Sequence, residues 1–139
     1  NSAFSGCKSL TEIIIPDKVS VIEQAAFINC VNLSKIVLPE SLSELSDSVF
    51  KNCTSLDSIV IPEGVRYIDY YLFQNCTGLT TVTLPSTIES IQYASFSGCS
   101  SLKNMQIPEG VTTIMDYAFK GCDSLTTVYN AVLLPIVIR

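Results

Sequence analysis

The chain has 139 residues, 47% hydrophobic and only 15% charged, with a formal net charge of −5 and an isoelectric point near 4.5. Soluble domains average about 25% charged residues, so this composition calls for a large interior in a single domain. Eight scattered Lys and Arg exclude a nucleic-acid partner, no apolar run approaches the ~18 residues of a membrane span, and the absence of histidine removes the commonest general base, triad member and metal ligand.

The chain opens at Asn1-Ser2-Ala3-Phe4, in mid-repeat and without a signal segment, and so reads as an excerpt of a longer protein. From Cys7 onward one period governs it: Cys7, Cys30, Cys53, Cys76, Cys99 and Cys122 are spaced 23 residues apart. Phe4, Phe27, Phe50, Phe73, Phe96 and Phe119 keep the same step, as do the leucines from Leu10 to Leu125 and the prolines from Pro16 to Pro108. A fixed period between 20 and 50 residues marks a solenoid, each repeat a coil stacked on the last.

Within a coil, Leu10 is followed by Ile13 and Ile15, the period-2 spacing of a short strand with one buried face. Pro16 then ends the strand, because proline cannot donate to a ladder. Val19 and Ile22 point inward on the return path, where a second, shorter strand is expected. Ala26-Phe27-x-x-Cys30 reads as a helical or 3₁₀ turn, since residues three apart share a face. Positions 6, 29, 52, 75, 98 and 121 are Gly, Asn, Asn, Asn, Gly and Gly, the residues that tolerate left-handed φ, which places a positive-φ turn before each cysteine.

Stacking at about 4.8 Å per coil puts like residues on like. Parallel cysteines at that spacing lie farther apart than the ~3.8 Å Cβ separation of a disulfide, and no close C-x₂-C pair exists to seed a zinc site. The six cysteines are therefore expected to be structural, buried free thiols. Asp17, Glu40, Glu63 and Glu109 share one phase after the prolines. Stacked carboxylates can hold Ca²⁺, but solvated turn residues account for them better, and neither a metal nor another cofactor is expected.

Two surfaces are candidates for binding. The outward strand positions expose Ile14, Val37 and Val60 in one column, which fits either a protein contact or simple β-propensity. Tyr67, Tyr70, Tyr71, Tyr93 and Tyr117 all fall in the return segment, close to Asp69 and Asp116, where they serve either recognition or shielding of the phenylalanine column. Sequons at Asn32, Asn52 and Asn75 would matter only in a eukaryotic secretory route, and the left-handed turn already accounts for the last two.

The pattern Leu-x-x-Ile-x-Ile-Pro-x-x-Val-x-x-Ile-x-x-x-Ala-Phe-x-x-Cys, over residues 3 to about 128, resembles the BspA-like class of leucine-rich repeats. Val49 and Ser95 stand where Ala is usual, and Met105 where Ile is usual. The resemblance implies a β-rich, right-handed leucine-rich-repeat superhelix with a parallel sheet, here of about six coils. It also implies a non-catalytic role at a cell surface or in secretion, in adhesion to another protein, including host matrix or plasma proteins such as fibronectin and fibrinogen. The rival reading is a structural spacer that self-associates through its ends. The repeat covers residues 1–129; residues 130–139, Asn130-Ala-Val-Leu-Leu-Pro-Ile-Val-Ile-Arg139, break the register and read as an irregular apolar tail or cap, a distorted strand or a self-association edge.

Overall fold

The computed structural model describes residues 1–130. The strands in chain order are β1 (Glu12–Ile14), β2 (Val21–Ile22), β3 (Lys35–Val37), β4 (Glu44–Leu45), β5 (Ser58–Val60), β6 (Tyr67–Ile68), β7 (Thr81–Thr83), β8 (Ser90–Ile91), β9 (Asn104–Ile107), β10 (Thr113–Ile114) and β11 (Thr127–Asn130). Odd-numbered strands line one wall and even-numbered strands the return wall. All pairings are parallel with an offset of one repeat: Glu12 faces Lys35, Ile13 faces Ile36 and Ile14 faces Val37, and the return wall pairs Ile68 with Ile91 and Ile91 with Ile114. Six long-wall strands are linked by five return paths, so the described residues form about five full turns of solenoid where about six were expected.

Period-2 alternation is what closes each coil. In β3, β5 and β7 the central residue is buried and its two neighbours are exposed, while Leu33, Leu56, Leu79 and Leu102 enter the core from the preceding turn. The phenylalanines fill its far end as one column, with ring centroids 5.1 to 5.9 Å apart and nearly parallel planes from Phe4 to Phe119.

No helix forms at the Ala26–Cys30 turn or its equivalents among the described residues, contrary to the helical or 3₁₀ expectation. The i→i−3 bonds of such a turn are present, from the Ala26, Ile28 and Cys30 N–H groups to the Glu23, Ala25 and Phe27 carbonyls. Every second peptide unit instead lies along the solenoid axis. The Gln24–Ala25 peptide accepts from the Ser2 N–H at 2.9 Å and donates to the Asp47 carbonyl at 3.1 Å; the Ala26–Phe27 and Ile28–Asn29 peptides do the same between Phe4 and Val49 and between Gly6 and Lys51.

The alternation requires left-handed residues. Positive φ occurs at the expected phase, at Gly6, Asn29, Asn52, Asn75, Gly98 and Gly121. It also occurs at a second phase four residues earlier, at Ser2, Ala25, Ser48, Tyr71, Ala94 and Tyr117, with φ between 53° and 61°. A run of right-handed residues would build a helix; a left-handed residue at each end of the turn swings alternate peptides toward the neighbouring coils.

The cysteines are all free, and the four central ones are buried. Five of the six also donate a hydrogen bond: the thiols of Cys30, Cys53, Cys76, Cys99 and Cys122 point at the carbonyls of Phe4, Phe27, Phe50, Phe73 and Phe96, at 3.0 to 3.2 Å. Beside them Asn52 Nδ2 donates to Asn29 Oδ1 at 2.7 Å and Asn75 Nδ2 to Asn52 Oδ1 at 3.1 Å, a short amide ladder. These side-chain bonds account for Asn52 and Asn75 within the fold. The tail at 131–139 lies outside the described residues.

Candidate functional site

The return path carries the tyrosines because its geometry projects them outward. Tyr67 is the exposed partner of buried Ile68 in β6. Tyr70 and Tyr71 follow at the corner, where Leu72 and Phe73 turn into the core. Tyr93 and Tyr117 take the corresponding places one and two coils on.

Three of the five rings meet. Tyr71 and Tyr93 lie with centroids 5.6 Å apart and planes at 76°, and Tyr93 and Tyr117 at 5.4 Å and 85°. This edge-to-face row is a favourable arrangement for aromatic quadrupoles. Ammonium groups occupy its two ends: Lys51 Nζ stands 5.3 Å from the Tyr71 centroid and Lys120 Nζ 4.9 Å from that of Tyr117. Tyr67 stands apart from the row, its hydroxyl 3.4 Å from Glu89 Oε2, and Tyr70 is 44% exposed.

Carboxylates also lie near the row, Asp116 close enough to act on Tyr93. Burial raises the Asp69 pKa above the ordinary aspartate value; the Tyr70 N–H bond opposes this, and the charges of Asp47 and Glu44 add to it. The Tyr93 phenol is likewise raised, first by burial and then by Tyr71, Tyr117 and Asp116. Arg66 is already engaged, its Nε donating to Glu89 Oε1 at 2.8 Å. Residue spacing alone does not reveal this partition of charge; counting charge by phase does. From each proline to the residue before the next cysteine the chain holds ten carboxylates and four cations, and from each cysteine to the next proline three and three.

The second candidate surface lies on the odd-strand wall. Ile14, Val37 and Val60 are 75%, 43% and 66% exposed and continue into Thr83, Gln106 and Tyr129. A shallow depression of about 760 Å³ lies over the later coils, between Thr83, Gln106, Glu109 and Tyr129. Tyr129, 61% exposed, takes the outward strand position that the repeat phase gives it and lies on this wall, away from the return path of the other five tyrosines. Asp17, Glu40, Glu63 and Glu109 all lie in solvent at the corner, with Glu63 accepting from the Ser86 backbone and hydroxyl. Both surfaces present exposed apolar or aromatic side chains, which can form a contact with another molecule.

Comparison with known proteins agrees with this architecture. The model of the BspA type leucine rich repeat region matches six copies across residues 1–126. The chain belongs to the BspA-type leucine-rich repeat family. Folds of this family are generally non-catalytic binding modules. The crystal structure of the T. pallidum leucine rich repeat protein is similar over 94% of this chain, at 34% identity and a TM-score of 0.90. A leucine rich cell surface protein from Faecalibacterium prausnitzii A2-165 matches over 94% at 35% identity and 0.87, and a leucine-rich repeat protein from Eubacterium ventriosum over 86% at 32% and 0.78. The chain spans 62%, 35% and 32% of those three proteins respectively. No curated protein matches it. Among the described residues no helix is long and apolar enough to cross a membrane.

Proposed function

We propose that this BspA-type solenoid is a non-catalytic protein-binding module of a cell-surface or secreted protein, acting in adhesion through its tyrosine band. The observation that carries the reading is the Tyr71–Tyr93–Tyr117 row. Aromatic side chains fixed on a rigid scaffold are typical anchors of recognition, since they bring large contact area at low entropic cost. The surface location draws support from the Faecalibacterium relative, which is named a cell surface protein.

The test is binding of the purified chain to immobilised matrix and plasma proteins, fibronectin and fibrinogen included, beside a variant with Tyr70, Tyr71, Tyr93 and Tyr117 changed to Ser. Saturable binding lost in the variant supports the band. Binding kept moves the contact to Ile14, Val37 and Val60. A well-folded chain that binds none of the panel rejects the adhesive reading.

A further inference from the structure

Left-handed backbone at a residue with a Cβ costs roughly 1–2 kcal/mol. The fold imposes that conformation once per coil and elsewhere places Ser2, Ala25, Ser48 or Ala94 there. At Tyr71 and Tyr117 the same position carries the bulkiest side chain of the series, half-buried at Tyr71 and exposed at Tyr117. Closing the coil does not require an aromatic ring at this phase, since four coils close without one. Strain and bulk retained together on a surface mark a place that contacts something else.

The chemistry of that contact can be read from what surrounds the rings. Along the return strands and the corner that follows them lie six carboxylates, Glu23, Glu44, Asp47, Asp69, Glu89 and Asp116, and three basic side chains, Arg66, Lys51 and Lys120; Glu89 pairs Arg66, and the amino terminus pairs Glu23. The outer rings hold ammonium groups from their own chain, Lys51 and Lys120. An acidic strip whose aromatic faces already take intramolecular cations is complementary to a basic partner.

Spacing narrows the partner's shape. Tyr71 and Tyr117 sit two coils apart, with the centroid of Tyr93 5.6 Å from the first and 5.4 Å from the second, so the outer rings are at most about 11 Å apart, a span that flexible Arg or Lys side chains reach from slightly closer backbone positions. One turn of polyproline II, three residues, advances about 9.3 Å. An extended chain with a cation at every third residue therefore sets successive cations over the two outer rings, with Tyr93 standing edge-on between them. We infer that the Tyr71–Tyr93–Tyr117 strip docks an extended, basic polypeptide segment whose Arg or Lys side chains recur every third residue and replace Lys51 and Lys120 on the ring faces. The inference rests on the band being the contact surface proposed above and adds the chemical class of its partner.

The test uses the whole chain and fluorescent peptides read by anisotropy: an Arg-Pro-Pro repeat, a Glu-Pro-Pro repeat, and an Arg-rich peptide of equal charge with alternate rather than third-residue spacing. The Arg-Pro-Pro repeat should bind saturably, more tightly at low salt than at high, and ahead of both other peptides. Changing Tyr71 and Tyr117 to Ser should weaken it roughly tenfold; the fold accepts Ser at this phase, as at Ser48. Changing Lys51 and Lys120 to Gln should strengthen it several-fold, beyond the gain from changing Lys8 and Lys103, which alters net charge equally on the other wall. Gln74 already occupies the column of Lys51.

The proposal is overturned if the Arg-Pro-Pro repeat fails to bind, if the tyrosine variant binds it equally well, if the alternate-spaced peptide binds better, or if loss of Lys51 and Lys120 weakens it. Should the matrix-protein panel lose binding in the tyrosine variant while no basic peptide binds, the band stands and the basic partner falls. If both assays are blank, both readings fall.

Discussion

Cys53 Sγ lies 3.2 Å from the carbonyl oxygen of Phe27, so the thiol of one coil is a hydrogen-bond donor to the phenylalanine of the coil before it. The same bond recurs from Cys76 to Phe50 and from Cys99 to Phe73. It needs the proton: a thiolate in that place would face a carbonyl oxygen in a medium of low polarity.

Alkaline pH should therefore destabilise the solenoid. Burial, the largest cause, pushes the Cys53 thiol up to about 12 from an ordinary value of 9.0 and likewise raises Cys76 and Cys99 well above it. Above pH 9 the unfolded chain sheds these protons while the folded chain keeps them. Stability is thus fully present below pH 9 and falls as pH rises through the window from 9 to about 12 set by Cys53, with Cys76 and Cys99 acting in the same direction. Urea midpoints at pH 7, 9, 10 and 11 measure this, and an unchanged midpoint at pH 11 would refute the thiol-donor column. A thiol-specific reagent should correspondingly react slowly with the central cysteines until the chain is unfolded.

Ser95 sits where neighbouring coils place Ala26, Val49, Leu72 and Ala118, and its hydroxyl is buried with no hydrogen-bond partner. Orphaned buried hydroxyls cost about 1–3 kcal/mol. Ser95→Ala should accordingly raise stability by about 1–2 kcal/mol, seen as a higher melting temperature with unchanged spectra. A drop in melting temperature would mean that the hydroxyl is satisfied in solution.

The fold was legible in the sequence because its two signals are strictly periodic. Ile36 between Lys35 and Val37 marks a half-buried strand, and the 23-residue step fixes which strands pair. The Gly and Asn at positions 6 to 121 announced one left-handed phase through their own chemistry. The second phase was silent, because Ala25, Ser48 and Tyr71 carry no preference for positive φ, and only the axial peptide ladder forces them there. That ladder also turned an expected helical turn into alternating peptides. The five return-path tyrosines were visible, yet their division into a contacting row and two separate rings depends on orientation, which a repeat phase does not encode.

Coil-by-coil packing makes damage local. Phe50 is wholly buried between Phe27 and Phe73, whereas Phe4 stacks on Phe27 alone and is 40% exposed. Phe50→Ala should cost about 3–5 kcal/mol, and Phe4→Ala markedly less. Hydrogen exchange should show the Phe50→Ala loss concentrated in the amides that bond across it, those of Phe27 and Phe50 among them, with coils farther away less affected. Uniform loss of protection would mean that the solenoid melts as a single unit.

Adjacent alanines provide the sharpest check on the left-handed phase. Ala25 has φ 56° and is half-buried, while Ala26 lies outside the positive-φ set and is buried against the core. Glycine at 25 relieves roughly 1–2 kcal/mol of steric cost and gives back about 0.4–1 kcal/mol through the freer unfolded chain, so Ala25→Gly should stabilise by roughly 0.5–1 kcal/mol. At 26 no strain is relieved, the same entropy is lost and a buried methyl worth about 0.8 kcal/mol disappears, so Ala26→Gly should destabilise by about 1–2 kcal/mol. Equilibrium urea unfolding of the two variants compares them with one background. Opposite signs at neighbouring positions follow only if the backbone alternates between hands at this turn; two destabilised variants would refute the second left-handed phase, and with it the argument that Tyr71 and Tyr117 are held in strained conformations.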